Sequence, residues 1–313
     1  MRLKNLTGII MNHLEQLSQR IEELEEEKNA IHQMLRMTAD NMKLTQNLLE
    51  TSNKRLEHQN KYINDSINYA ARIQRAFLQN TQRTHEIIQD LFILDYPKDV
   101  LSGDFYWLHE APNYTYIAVS DCTGHGVPGA LLTVLGISQL NKIAEQTEEP
   151  SPSKVLTRLH KQMQHFTSNK QNQLCISDGM DIGLCIWDKR EKALRFSGAK
   201  RPLLTYKNNT LTYIRGGRCS IGDVDFDDKK LSDVTLKDCE ESTFYLFTDG
   251  YPDQFGKNDK KLKLAPFRRI IEKHAHKPLF EQQAALSSEL HEWKGNTTQT
   301  DDILMLGFNT STL

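Results

Sequence analysis

Between Gly8 and Pro97 the chain contains neither glycine nor proline. Both helix breakers are missing from more than a quarter of a 313-residue protein, so nothing in that span stops a helix once it has begun. Reading from Ile10 in alternating steps of four and three gives Leu14, Leu17, Ile21, Leu24, Lys28, Ile31, Leu35, Thr38, Met42, Thr45, Leu49, Ser52, Leu56, Gln59, Ile63, Ser66, Ala70, Ile73 and Phe77. This is a heptad repeat, with Glu, Gln, Lys and Asn filling most intervening places. One series, from Leu14 through Ile21, Leu35, Met42, Leu49, Leu56 and Ile63 to Phe77, is apolar nearly throughout, whereas the other turns polar from Thr38 to Ser66. A lone helix would leave that stripe in water, so the pattern predicts a homodimer through residues 10–77, paired more weakly along the polar half. One or two helices folding back on the rest of the chain is the alternative.

Charge and composition narrow the partners. The 39 basic and 41 acidic residues nearly cancel, which offers no general attraction to nucleic acid or to an anionic membrane. No run approaches the roughly 18 apolar residues of a membrane span, so no membrane contact is expected within this chain. The N-terminus lacks the apolar core and cleavage site of a secretory signal. Cys122, Cys175, Cys185, Cys219 and Cys239 include no CxxC pair, which argues against a zinc site or a disulfide framework. A reducing cytoplasm is the expected compartment.

At Pro97 the grammar changes. Glycines enter, and short β-like runs alternate with turns: Tyr114–Val119, Ile182–Trp187, Leu194–Ser197, Leu203–Tyr206, Leu211–Ile214, Phe244–Phe247 and Ile303–Phe308. Helical stretches are expected in pairs, near Gly129–Ala144 and Ser153–Phe166, then near Ala265–His274 and Leu279–Trp293. Strand runs interrupted by paired helices predict an α+β layered domain, with helices on antiparallel sheets and no βαβ alternation. The expected division is a long helix over 1–80 and a second domain over 81–313. Neither GxGxxG nor GxxxxGK[ST] is present, so nucleotide cradles of those kinds are absent.

Aspartates recur at the ends of the strand runs. Asp104 lies in Ser102-Gly103-Asp104-Phe105, Asp121 ends the apolar run from Tyr116, and Asp178 and Asp181 frame Asp178-Gly179-Met180-Asp181. Asp249 follows Phe244–Thr248, and Asp301-Asp302 opens the last strand. Carboxylates meeting at a sheet edge repel unless a cation neutralises them, and an all-oxygen donor set favours Mg²⁺ or Mn²⁺ over zinc. Two such ions close together hold and activate a bridging water. Asp-Gly and Asp-Asp are also ordinary turn formers, and spacing by itself leaves both readings open.

Five blocks together decide between them. Pro97–Trp107 (PKDVLSGDFYW), Asp121–Ala130 (DCTGHGVPGA), Asp178–Asp181 (DGMD), Leu246–Asp253 (LFTDGYPD) and Asp301-Asp302 resemble, in this order, the bacterial stage II sporulation protein E family. That family is the bacterial branch of the type 2C metal-dependent protein phosphatases. The resemblance covers about residues 91–308. It implies a layered β-sandwich flanked by helices, here preceded by the helical coiled coil, with two Mn²⁺ or Mg²⁺ ions at one end of the sandwich and room for a third. By motif, Asp121 matches the aspartate that bridges both metals, and Cys122 matches a backbone carbonyl ligand whose thiol takes no part. Asp249 and Asp301 match the carboxylates completing one metal shell, Asp104 an acid serving the second metal, and Asp178 more loosely a third-ion ligand. Asp302 is expected to support or cap the site.

Among the remaining polar residues, Lys98 is either a phosphate contact or a solvated lysine. His125 follows Asp121 by four positions, where the eukaryotic relatives place a histidine at two, and reads better as a loop residue capping the next helix. His274 and His276 read as surface, and Trp107, Trp187 and Trp293 as core or rim. The implied activity is hydrolysis of phosphoserine or phosphothreonine on a protein, with a phosphorylated STAS-domain regulator such as an anti-anti-sigma factor as substrate. The rival is an inert phosphatase-like scaffold that dimerises through its helix.

Overall fold

A computed structural model of the chain describes residues 2–78, 81–124, 126–167, 179–311 and 313. It divides into two compact units, residues 1–65 and 66–313. The first consists of helix α1, which runs from Arg2 to Phe77 and so continues into the second unit. Its seam residues face solvent: Leu14, Ile21, Leu35, Leu49 and Ile63 are all exposed. Among the described residues no helix is long and apolar enough to cross a membrane.

Among the described residues, the second unit contains ten strands. One antiparallel sheet has the order β1-β10-β9-β6-β7, formed by Leu91–Tyr96, Ile303–Asn309, Thr243–Phe247, Leu203–Lys207 and Thr210–Ile214. The other has the order β2-β3-β4-β5-β8, formed by Asp104–Glu110, Tyr114–Cys122, Met180–Asp188, Ala193–Ala199 and Val234–Leu236. Helices α3 (Val127–Glu145) and α4 (Pro152–Thr167) cover the second sheet. Helices α6 (Leu264–His274) and α7 (Leu279–Lys294) cover the first. Short helices α2 (Thr81–Ile87) and α5 (Gly250–Asp253) complete the unit.

Period-two alternation assigns each strand residue to a layer. In β3, Tyr116 and Ala118 enter the core beneath α3 and α4, while Ile117 and Val119 enter the core between the sheets. In β9, Phe244 and Leu246 join that central core, and Tyr245 and Phe247 pack under α6 and α7 with Phe267 and Ile271. Strands buried on both faces read as unbroken apolar runs, which is how these elements look in the sequence. Trp107 lies in one core at 0% exposure, Trp187 is buried, and Trp293 is half-buried.

Three strands escape the sequence pattern, among them Val234–Leu236, which is only three residues long. Leu91–Tyr96 follows a helix with no glycine or proline between them, so no punctuation marks its start. In Asp104–Glu110, Asp at one end and His and Glu at the other cut the apolar run to Phe105–Leu108. One surface expectation is overturned: His274 is buried, with Nε2 3.0 Å from Glu289 Oε1, because the end of α6 packs against α7. Asp178, His125 and Cys175 lie outside the described residues.

The last turns of α1 belong to the second unit. Ala71 forms a small core with Leu101 and Ala130, flanked by Ile67 and Ala70. Gln74 Nε2 donates to the Ser102 carbonyl at 2.6 Å. The loop bearing Ser102 leads directly into Asp104, so these turns brace the loop from which β2 begins.

Candidate active site

Strand register puts three aspartates in one row. Asp104 pairs with Asp121 across β2 and β3, and Asp121 pairs with Asp181 across β3 and β4. Directly opposite residues have Cβ atoms about 5 Å apart, and like charges there oppose sheet formation. A fourth acid, Asp249, follows β9 from the other sheet and stands at the start of α5.

The compensating charge comes from Arg201, which the sequence reading passed over. Its Nη2 lies 3.1 Å from Asp121 Oδ2, 3.1 Å from Asp181 Oδ2 and 3.0 Å from Asp249 Oδ2. One nitrogen thus gathers oxygens from both sheets. Burial pulls the guanidinium pKa down, but Asp249, Asp121 and Asp181 more than offset this and raise it above its ordinary value.

Arg201 is held in place by a cramped turn between β5 and β6. Lys200 adopts a left-handed backbone, φ 58°, and Arg201 N donates to the Ala199 carbonyl at 2.7 Å. A Cβ at Gly198 would come within 2.0 Å of the Arg201 carbonyl oxygen, and one at Gly216 within 2.4 Å. A lone arginine in a turn carries no periodicity and no motif, so no sequence signal finds it. Asp181 was visible in the sequence, but only register puts it beside Asp121. Its Oδ1 accepts from Ser220 Oγ at 2.5 Å, and Lys200 Nζ lies 3.5 Å away.

Asp301 and Asp302 divide their tasks. Asp302 is buried and accepts from the backbone N–H of Lys98 and of Gly103, each at 2.8 Å, tying the loop before β2 to the start of β10. Asp301 and Asp302 line, with Asp121, Cys122, Thr123 and Gly124, a cavity of about 160 Å³. A Cβ at Gly250 would fall 1.8 Å from the Asp302 carbonyl oxygen, so only glycine lets the Asp249 turn approach this segment so closely. The Cys122 thiol is buried, 3.9 Å from Thr133 Oγ1, and burial raises its pKa. Lys98 is exposed, and the bond it makes to Asp302 is through its backbone.

The acids are short of positive charge. Asp104 is buried and its Oδ2 has no hydrogen-bond partner. Burial, then the charge of Asp121, pushes the Asp104 carboxyl up to about 10, against a hydrogen bond from Thr248. Burial raises Asp121 to about 7, opposed by Arg201 and assisted by Asp249 and Asp181. Asp301 is raised as well, first by burial.

Two antiparallel sheets packed face to face, a helical pair outside each, and acids collected where both sheets end define a type 2C phosphatase fold. Residues 111–311 match the stage II sporulation protein E (SpoIIE) family, and the chain belongs to it. The SiaA-PP2C domain of Pseudomonas aeruginosa is 34% identical, with a TM-score of 0.71, over 80% of this chain and 98% of that one. The PP2C phosphatase domain of the Bacillus subtilis cell fate determinant SpoIIE, with a fragment of its regulatory domain, shares the fold at 18% identity. Its TM-score is 0.54, over 70% of this chain and 61% of that one. Among proteins of curated function, none matches.

The family's fold implies divalent metal ions, and the residues present fit them. The donors are hard oxygens, Asp104 Oδ2 is an orphaned buried acceptor, and Asp121, Asp181 and Asp249 share one arginine, with Lys200 3.5 Å from Asp181. Among the described residues, no three His, Cys, Asp or Glu side chains already stand as a metal-ligand group. Arg201 holds three of the carboxylates around one nitrogen. Replacing Arg201 with Met should cost the metal-free protein roughly 3 kcal/mol, because buried carboxylates lose their counter-charge. In a thermal melt, millimolar Mn²⁺ should recover more of that loss than it adds to wild type. An equal Mn²⁺ shift in both proteins would make the arginine a scaffold only.

Proposed function

We propose that the chain is a metal-dependent protein serine/threonine phosphatase. The observation that carries this reading is the convergence of Asp121, Asp181 and Asp249 on one point, in a member of a phosphatase family. Residues 81–313 form the catalytic part, and 1–80 the pairing and regulatory part. Asp104, Asp121, Asp249, Asp301 and the Cys122 carbonyl would hold two Mn²⁺ or Mg²⁺ ions, with Asp181 as a further acid at the same place. When bound, the ions supply an activated water and a Lewis-acid pull on the phosphoryl oxygens.

The side chains set the conditions for that chemistry. Asp121, at the centre of the row, lies opposite acids on both neighbouring strands and would serve both ions. Asp302 fixes the loop before Asp104, and Gly250 lets Asp249 close on Asp301. No phospho-enzyme is expected, because bound ions would activate water directly, while Ser220 Oγ is engaged by Asp181 and the Cys122 thiol is buried with its pKa raised. The substrate is a phosphorylated regulator in the cytoplasm, of the STAS-domain kind that the family resemblance implies. Full-length protein should hydrolyse p-nitrophenyl phosphate with Mn²⁺, and Asp121→Asn should lower the rate about a hundredfold or more. Equal rates would leave the inert scaffold as the better account.

Pairing through α1 accompanies the activity. An exposed apolar seam along residues 10–63 has the spacing of a two-stranded coiled coil. Sedimentation equilibrium at micromolar concentration should give a dimer, and Ile21→Asp with Leu35→Asp should give a monomer. A monomeric wild type would remove the pairing from this account.

A further inference from the structure

Beside the acid cluster lies a hollow of opposite charge. It has a volume of about 490 Å³ and is framed by Lys200, Tyr213, Arg215, Arg218 and Arg268, with no Asp or Glu in its lining. The whole chain carries a net charge of −2, so four cations around one hollow are a local arrangement rather than the average surface. They arrive from three places: Lys200 from the β5–β6 turn, Arg215 and Arg218 from the segment after β7, and Arg268 from α6. Among the described residues, Arg215, Arg218 and Arg268 have no carboxylate partner. Arg268 is nonetheless positioned, with its guanidinium 5.3 Å from the Tyr213 ring centroid and its Nε buried without a hydrogen-bond partner.

The hollow and the acid cluster share a wall. Lys200 faces the hollow and also lies 3.5 Å from Asp181, and the next residue is Arg201. Gly216, in the same lining, packs so tightly on Arg201 that a Cβ would meet its carbonyl oxygen at 2.4 Å. A peptide whose phosphorylated side chain enters the acid cluster therefore lays its neighbouring residues over Lys200 and toward the arginines. An extended chain advances about 3.3 Å per residue, so side chains a few positions away reach them. Guanidinium groups pair best with carboxylates and phosphates. A nucleotide fits less well, because the one aromatic ring facing the hollow already carries Arg268.

We propose that this basic hollow receives acidic residues flanking the phosphoserine or phosphothreonine of the protein substrate. The proposal rests on the phosphatase reading and adds to it a substrate class, phosphosites with nearby Asp or Glu. The test uses two fluorescently labelled phosphoserine peptides, one with Asp and Glu flanks and one with Ala and Gln flanks. Their binding to the full chain is read by anisotropy in EDTA, where Mn²⁺-dependent turnover is absent. Wild type should bind the acidic peptide about tenfold more tightly, an advantage that falls as salt rises. Arg215→Ala with Arg218→Ala should lose most of that advantage, the effect of two partly exposed ion pairs. With Mn²⁺, the double variant should show a raised KM for the acidic peptide, an unchanged kcat, and unchanged hydrolysis of p-nitrophenyl phosphate. Equal binding of both peptides to wild type, a double variant that keeps the full preference, or tighter binding of an RNA oligonucleotide of equal charge would each overturn the proposal. A flank preference in a protein that fails to hydrolyse p-nitrophenyl phosphate would support the hollow as an acidic-peptide site and overturn the phosphatase reading alone.

Discussion

Three aspartates side by side on adjacent antiparallel strands repel one another, and the end of the sandwich is organised around that repulsion. Asp104, Asp121 and Asp181 are fixed in register by the ladders of β2, β3 and β4, so they cannot drift apart without breaking backbone hydrogen bonds. Asp249 joins them from the other sheet. Such a cluster is stabilised by positive charge, and one guanidinium nitrogen of Arg201 lies against three of the carboxylates. The same charge imbalance raises Asp104 and Asp121 from the ordinary carboxylate range, and divalent ions would relieve it.

The rest of the fold keeps this arrangement from relaxing. Aromatic and aliphatic side chains fill both faces of β3 and β9, which gives the acids a stiff floor. Glycines at 198, 216 and 250 allow backbone approaches that any side chain would block, bringing Arg201 and Asp249 within reach of Asp121. The end of α1 packs on Leu101 and Ala130 and hydrogen-bonds Ser102, two residues before Asp104.

Much of the molecule was legible in the sequence. The long helix followed from the span without glycine or proline, and the layered α+β fold from apolar runs interrupted by paired helices. Asp121, Asp249 and Asp301 stood out because each adjoins an apolar strand run, and Asp104 because it lies in one of the blocks that carry the family resemblance. Arg201 did not, since its role exists only where the β5–β6 turn meets the ends of β3 and β9. The place of Asp181 beside Asp121 depends on strand register, which spacing along one chain does not reveal. The burial of His274 was hidden for a similar reason: its neighbours in sequence are lysines, while its neighbours in space come from α7.

The central proposal is that these carboxylates, gathered beside Arg201, bind divalent ions. Isothermal titration of the full chain with Mn²⁺ tests it most directly. The account predicts saturable binding of at least two ions per chain, weakened in Asp121→Asn and strengthened when Arg201 is replaced. A folded wild-type protein that takes up no Mn²⁺ at millimolar concentration would contradict it.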